Sequence, residues 1–337
     1  MAKKILSICG GGIRGIIPGM MLVSLEEKLQ KKSNNPEARI ADYFDLVAGT
    51  STGAILGAAY LCPGPNGRPK FTAQEAVDIY LEQGDDIFDV SVWRSLGTLK
   101  GLADERYSAK ELEKSLHAAF GETKLSELLK PTCFVAYDIF HREQIIFKQH
   151  TAIEKNRDFL VRDLLRGGSA APTYFETARI YSLPPKQQKF VLVDGGMVAN
   201  DPTLCAFTET IKTDGIEGIS DVMILSLGTG KELKRYSYPD MKDLGFLGWA
   251  KPSVDIALEG GPQITVHHMK QITSTLPEAK YHWIQPELHG ADLALDNASP
   301  ENLERLRNAG LRNATEHDDK LEEIADFLVN DHRKSQE

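Results

Sequence analysis

The apolar positions of the chain fall into two patterns. Short, mostly apolar runs at 5–9, 43–48, 132–137, 144–147, 190–193, 222–227 and 281–284 end in glycine, charge or turn residues. Runs of that length and content suit strands buried in a sheet. Between them, 54–61, 73–83, 109–120 and 302–330 carry their apolar residues at helical spacing. A further helix opens at Pro18 and stops at the Lys31-Lys32 pair. Strands alternating with helices predict an α/β fold, with a mainly parallel sheet and helices on both faces. No internal repeat or low-complexity linker divides the chain, so one domain over 1–337 is expected, with a C-terminal helical part at 300–330. Two segments fall outside this pattern. The 85–102 stretch carries Ile87, Phe88, Val90, Val92 and Trp93, and the 234–251 stretch carries Tyr236, Tyr238, Leu244, Phe246 and Trp249. Both read as insertions whose aromatics fold back on the core; the alternative is a lid or a membrane-facing rim.

Composition narrows the function. Hydrophobic residues make up 42% and charged residues 26% of the 337, which excludes a disordered or collagen-like chain. A surplus of 48 acidic over 39 basic residues gives a net charge of −9, which argues against a nucleic-acid binder. The four cysteines, Cys9, Cys62, Cys133 and Cys205, form no CxxC pair and read as reduced, buried thiols. The uncharged stretch 46–67 has the length of a membrane span but is cut by glycines and by Pro63-Gly64-Pro65. The opening apolar run is broken by glycines and Arg14, a poor signal peptide, so the expected location is the cytoplasm.

Three motifs carry chemistry. Gly10-Gly11-Gly12-Ile13-Arg14-Gly15 follows the first predicted strand and matches GxGxxG. A dinucleotide fold also wants an acidic residue at the end of the second strand, whereas Asp42 and Asp45 sit at its start. The loop is then equally a phosphate cradle or an oxyanion hole, lined by backbone N–H groups and Arg14. Gly49-Thr50-Ser51-Thr52-Gly53 is GxSxG between a strand and a helix, the setting of a nucleophile elbow, with Ser51 lifted clear of the sheet. Asp194 ends the 190–193 strand in an Asp194-Gly195-Gly196 turn, placed at a strand's C-terminal end where ligands of parallel sheets gather. To act as a base for Ser51 it would need partial desolvation. None of the nine histidines has a glycine-rich or strand-end setting, and His267-His268 lacks the HExxH metal spacing. The 225–231 stretch resembles a P-loop but lacks its first glycine, and Glu232 stands where Ser or Thr is required.

In this order, the three motifs resemble the patatin-like phospholipase family. The stretches 169–175, 196–202 and 225–230 add to the likeness, which covers residues 3–232. The resemblance implies a three-layer α/β/α sandwich and hydrolysis of lipid acyl esters without metal or organic cofactor. It makes Ser51 and Asp194 a catalytic dyad. It makes Gly10, Gly11, Gly12 and Arg14 the oxyanion hole, with Gly49, Gly53, Gly195 and Gly196 supporting the elbow and the turn. Many members carry Asp before the glycines where this chain has Cys9. The implied partner is membrane phospholipid, met at the inner bilayer surface, with a homo-oligomer compatible and no nucleic acid. A narrower resemblance, to bacterial antiphage effectors, implies activation by a cyclic dinucleotide, with Lys231, Lys234 and Arg235 as candidate contacts. An acyltransferase, a constitutive galactolipid, lysolipid or glyceride esterase, and a non-catalytic lipid-binding module remain as alternatives.

Overall fold

The computed structural model describes residues 2–87, 109–215, 220–231 and 235–334. Its centre is an eight-stranded sheet. Five strands run parallel: β1 (Lys3–Ile8), β2 (Leu46–Thr50), β3 (Thr132–Asp138), β7 (Val222–Leu227) and β8 (Lys280–Ile284). Three more complete it: β4 (Glu143–Phe147), β5 (Ala178–Tyr181) and β6 (Lys189–Asp194). The helices are α1 (Ile16–Ser33), α2 (Ile40–Tyr43), α3 (Thr52–Leu61), α4 (Ala73–Ile87), α5 (Ala109–Phe120), α6 (Val161–Gly168), α7 (Gly196–Ala199), α8 (Thr203–Asp214), α9 (Tyr238–Met241), α10 (Phe246–Thr273), α11 (Pro300–Glu316) and α12 (Asp318–Lys334).

Helices cover both faces of the sheet, giving three layers. One face carries the larger core, where Leu6, Ile8, Val47, Leu225 and Leu227 meet α1, α3, α4, α11 and α12. The other face presents Ile5, Leu46, Ala48, Val222 and Ile224 to α8 and α10. Residues of β2 and β7 are buried without alternation, as the continuous apolar runs require of strands covered on both sides. β5 alternates buried and exposed residues, and its Ala-Arg-Ile-Tyr sequence gives no apolar run to read.

Several expected boundaries move. The 43–48 strand begins instead at Leu46, because Tyr43 closes the one-turn α2 and Asp45 pairs its backbone and carboxylate with Lys4. It continues to Thr50 because β1 and β3 supply partners along its whole length. The single helix expected over 302–330 is two helices, broken at His317. Of the 234–251 segment, α9 and the first turns of α10 take up most. Tyr238 and Trp249 of this segment do not fold back on the core as expected but are exposed. The 85–102 segment lies outside the described residues beyond the end of α4. Among the described residues no helix is long and apolar enough to cross a membrane.

Candidate active site

β3 explains how two distant parts of the chain come together. Along Phe134–Asp138 one of its edges is taken by β4. On the other edge β2 pairs parallel as far as Thr50, opposite Val135. β6 pairs antiparallel from Asp194, opposite Ala136. A residue in a sheet has room for two neighbours, so β2 and β6 share one edge of β3, end to end. Their C-terminal ends meet, which places Ser51 beside Asp194. The expectation that Asp194 ends a parallel strand is therefore corrected. β6 runs against β3, and Asp194 reaches Ser51 from the opposite direction.

Ser51 occupies the sharp turn between β2 and α3, with φ 53° and ψ −123°. A non-glycine residue held there costs about 1–3 kcal/mol, and the surroundings enforce it. A Cβ on Gly49 would strike the backbone of Gly53, and one on Gly53 would strike the carbonyls of Ile8 and Cys9. Thr50 donates its hydroxyl to the Ala199 carbonyl at 2.7 Å, tying the elbow to the segment after Asp194. The first N–H groups of α3 have no intrahelical acceptor and face the turn that carries Ser51.

Asp194 is buried, and its carboxylate accepts the Gly196 N–H at 2.7 Å with the Ser51 hydroxyl beside it. Burial pushes its pKa up to about 6, while the nearby Ser51 hydroxyl and the Gly196 N–H pull the other way. A Cβ on Gly195 would collide with the Val135 carbonyl, so the turn after Asp194 fits only glycine against β3.

The glycine loop is fixed from three sides. The Gly10 carbonyl accepts from the Thr229 hydroxyl at 2.8 Å, and the Leu295 carbonyl accepts the Ile13 N–H at 2.9 Å. The Gly10 N–H donates to the Asn200 carbonyl at 3.1 Å, so that amide is committed. The amides of Gly11 and Gly12 have no intramolecular acceptor among the described residues, and both glycines line the cavity at Ser51. Arg14 is buried beside them and points its Nε at the Gly11 carbonyl, 3.5 Å away.

Two cavities meet here. The smaller, about 80 Å³, contains Ser51 and Asp194 and is walled mainly by apolar groups such as Ile13, Ile55, Leu112, Phe175, Leu258 and Leu295. The larger, about 430 Å³, lies across a partition made of Gly10, Arg14, Asn200 and Leu258, and its further wall includes Lys231, Glu259, Trp283 and Gln285. Cys9, buried as expected, borders this second cavity.

Asn200 escaped the reading of the sequence, although a proline signals its role. Pro262 lies inside α10 and has no N–H, so the Leu258 carbonyl one turn earlier loses its helical donor. The Asn200 Nδ2 fills that place at 2.7 Å and lies 3.4 Å from the Gly10 carbonyl. Its orientation is thereby fixed, and its buried Oδ1 has no partner among the described residues. Of the basic candidates, Lys231 borders the larger cavity, Arg235 is exposed, and Lys234 lies outside the described residues. His267 and His268 are exposed on α10, away from Ser51.

The family model for patatin-like phospholipases matches residues 6–207. Patatin-like protein 4 of Arabidopsis thaliana is 34% identical over 91% of this chain and 82% of its own length. Patatin-like protein 2 of the same plant is 36% identical over 91% and 81%. Its namesake in Oryza sativa subsp. indica is 34% identical over 91% and 82%. These alignments reach well beyond 3–232 into the C-terminal third. Human GIVD cytosolic phospholipase A2 is a more remote structural likeness, with TM-score 0.44 and 14% identity over 98% of this chain and 60% of that one.

Proposed function

The chain belongs to the patatin-like phospholipase family, and on that premise we propose that it hydrolyses acyl esters of membrane phospholipids, with Ser51 as nucleophile and Asp194 as its base. Support comes from one observation above all. Ser51 lies beside the buried Asp194 carboxylate in one cavity with two backbone amides, of Gly11 and Gly12, that have no acceptor among the described residues.

Ser51 Oγ attacks the ester carbonyl carbon as its proton passes to Asp194. The carbonyl oxygen becomes an oxyanion and takes hydrogen bonds from the Gly11 and Gly12 N–H groups. One such donor is typically worth about 2.7–4 kcal/mol in the transition state. The tetrahedral species collapses, and the leaving alcohol takes the proton from Asp194. Water then loses a proton to Asp194 and attacks the acyl-serine. The fatty acid departs, and the proton returns to Ser51. An ordinary aspartate is a poor base, but one whose pKa lies near 6 is stronger and still mostly ionised at neutral pH. The apolar cavity receives the start of the acyl chain. Peripheral contact with the bilayer falls to Trp249, Ile256 and Ile264, which are exposed along one side of α10.

Fatty-acid release from phospholipid vesicles by the wild type and Ser51→Ala tests this reading. Release by the wild type that falls to background in the variant is expected. Equal release by both proteins would remove Ser51 from the reaction.

A further inference from the structure

The acyl-hydrolase reading leaves the larger cavity without a role, and the following inference rests on that reading. At about 430 Å³ it falls within the size range of small-molecule sites, whereas the 80 Å³ around Ser51 lies far below it. The two differ in chemistry. Apolar side chains dominate the Ser51 side, while the other cavity adds amide and charged groups to an apolar wall that includes Leu258, Pro262 and Trp283. An ester held at Ser51 has an acyl chain on one side of its carbonyl and an alcohol bearing the headgroup on the other. A narrow apolar cavity and a wider one with a larger polar share, on either side of one shared wall, match those two halves.

We propose that the larger cavity binds the polar headgroup of the lipid and selects headgroups that carry hydrogen-bond donors. Two residues on its lining carry a buried acceptor with no partner among the described residues: Asn200, whose Oδ1 lies in the partition close to Gly10 and Gly196, and Gln285, whose Oε1 lies in the further wall against Gly228. The Leu258 carbonyl, freed by Pro262, prevents the Asn200 amide from flipping to present a donor instead. Gln285 lies across Gly228, and a Cβ at that position would collide with its Oε1. Buried acceptors left empty are costly, and a ligand N–H or O–H relieves that cost. A phosphate oxygen or a quaternary ammonium has no hydrogen to give them. The ligand class is therefore a headgroup ending in a primary ammonium or in hydroxyls.

Lipids with identical acyl chains and ethanolamine, galactosyl or choline headgroups, presented at equal surface fraction in mixed micelles, separate the cases. With the wild type, kcat/KM for ethanolamine, galactosyl or both should exceed that for choline by about tenfold, since a site built around hydrogen bonds rejects the analogue lacking them. The arm that wins tells ammonium from hydroxyl. A choline lipid cleaved as well as both others overturns the inference. Gln285→Leu should bring the ratio close to one, and a ratio unchanged in that variant would also overturn it. A measurement independent of any variant uses soluble headgroups. Glycerophosphoethanolamine or galactosylglycerol should compete with p-nitrophenyl butyrate on the wild type at concentrations where glycerophosphocholine does not; equal competition by all three counts against the proposal. The p-nitrophenyl ester has no headgroup, so its cleavage reports Ser51 alone. If the wild type and Ser51→Ala cleave it equally, the acyl-hydrolase reading fails. Cleavage that needs Ser51, without any headgroup preference, defeats this inference only.

Discussion

A carboxylate takes a proton from serine only when it is held against the hydroxyl and deprived of water, and Asp194 meets both conditions. Because the proposed mechanism needs it ionised, kcat/KM should rise through pH about 6 and level off above about pH 7.5, the limb following the Asp194 pKa. Asp194→Asn keeps an acceptor for the Gly196 N–H but loses the base, so turnover should fall by about 10²–10⁴-fold across the whole profile. Asp201 is a second buried acid, pushed up to about 6 by desolvation, with Thr203 as its hydrogen-bond partner. Between about pH 4 and 6 the unfolded chain has released this proton while the folded chain retains it. The stability associated with that proton is complete below about pH 4 and lost as pH rises through about 6. Asp201→Asn should therefore match the wild type in urea unfolding near pH 4 and exceed it at pH 8, by about 3 kcal/mol at most. Ser51 and Asp194 could be found in the sequence because the steric demands of their turns are met by flanking glycines. Asn200 could not be found in this way. Its partner is a carbonyl released by a proline elsewhere in the chain, a relation that exists only once α10 is packed.

At the scale of elements, one buried side chain organises two helix starts. Glu26 on α1 accepts the Ile40 N–H at the start of α2, 3.1 Å away, and the Ala73 N–H at the start of α4, 2.9 Å away. Burial raises its pKa, while the two N–H donors favour the charged form. Glu26→Ala would leave both donors empty and should cost about 2–4 kcal/mol in chemical denaturation, with Glu26→Gln about half of that. Most strands could be read because parallel strands covered on both faces must be apolar throughout. α10 could not be read as a helix. Its Gly248, Pro252, Gly260-Gly261 and Pro262 are stop signals in local propensity, and tertiary partners overrule them, Asn200 at the Leu258 carbonyl among them. The break at His317 also lacks a glycine or proline to announce it.

At the scale of the molecule, the C-terminal helices fasten the first third of the chain. α12 buries Leu321, Ile324, Ala325 and Leu328 in the large core, while Lys28 and Lys32 of α1 pair with Asp318, Glu322 and Asp326 around the rim. Exposed pairs of that kind are worth about 0–1 kcal/mol each, whereas truncating a buried leucine costs about 2–5 kcal/mol. Leu328→Ala should thus lower the denaturation midpoint well below that of Glu322→Gln; equal losses would place the clamp's strength in its charges. The shared edge of β3 has its own bearing on the life history of the chain. The proposed nucleophile and base come from strands far apart in sequence, and they come together only when both strands have filled that edge from opposite ends. A growing or partly folded chain that already displays the Ser51 elbow still lacks its base. On the proposed mechanism, hydrolysis is thus withheld until the sheet is complete, and a half-made copy is inert.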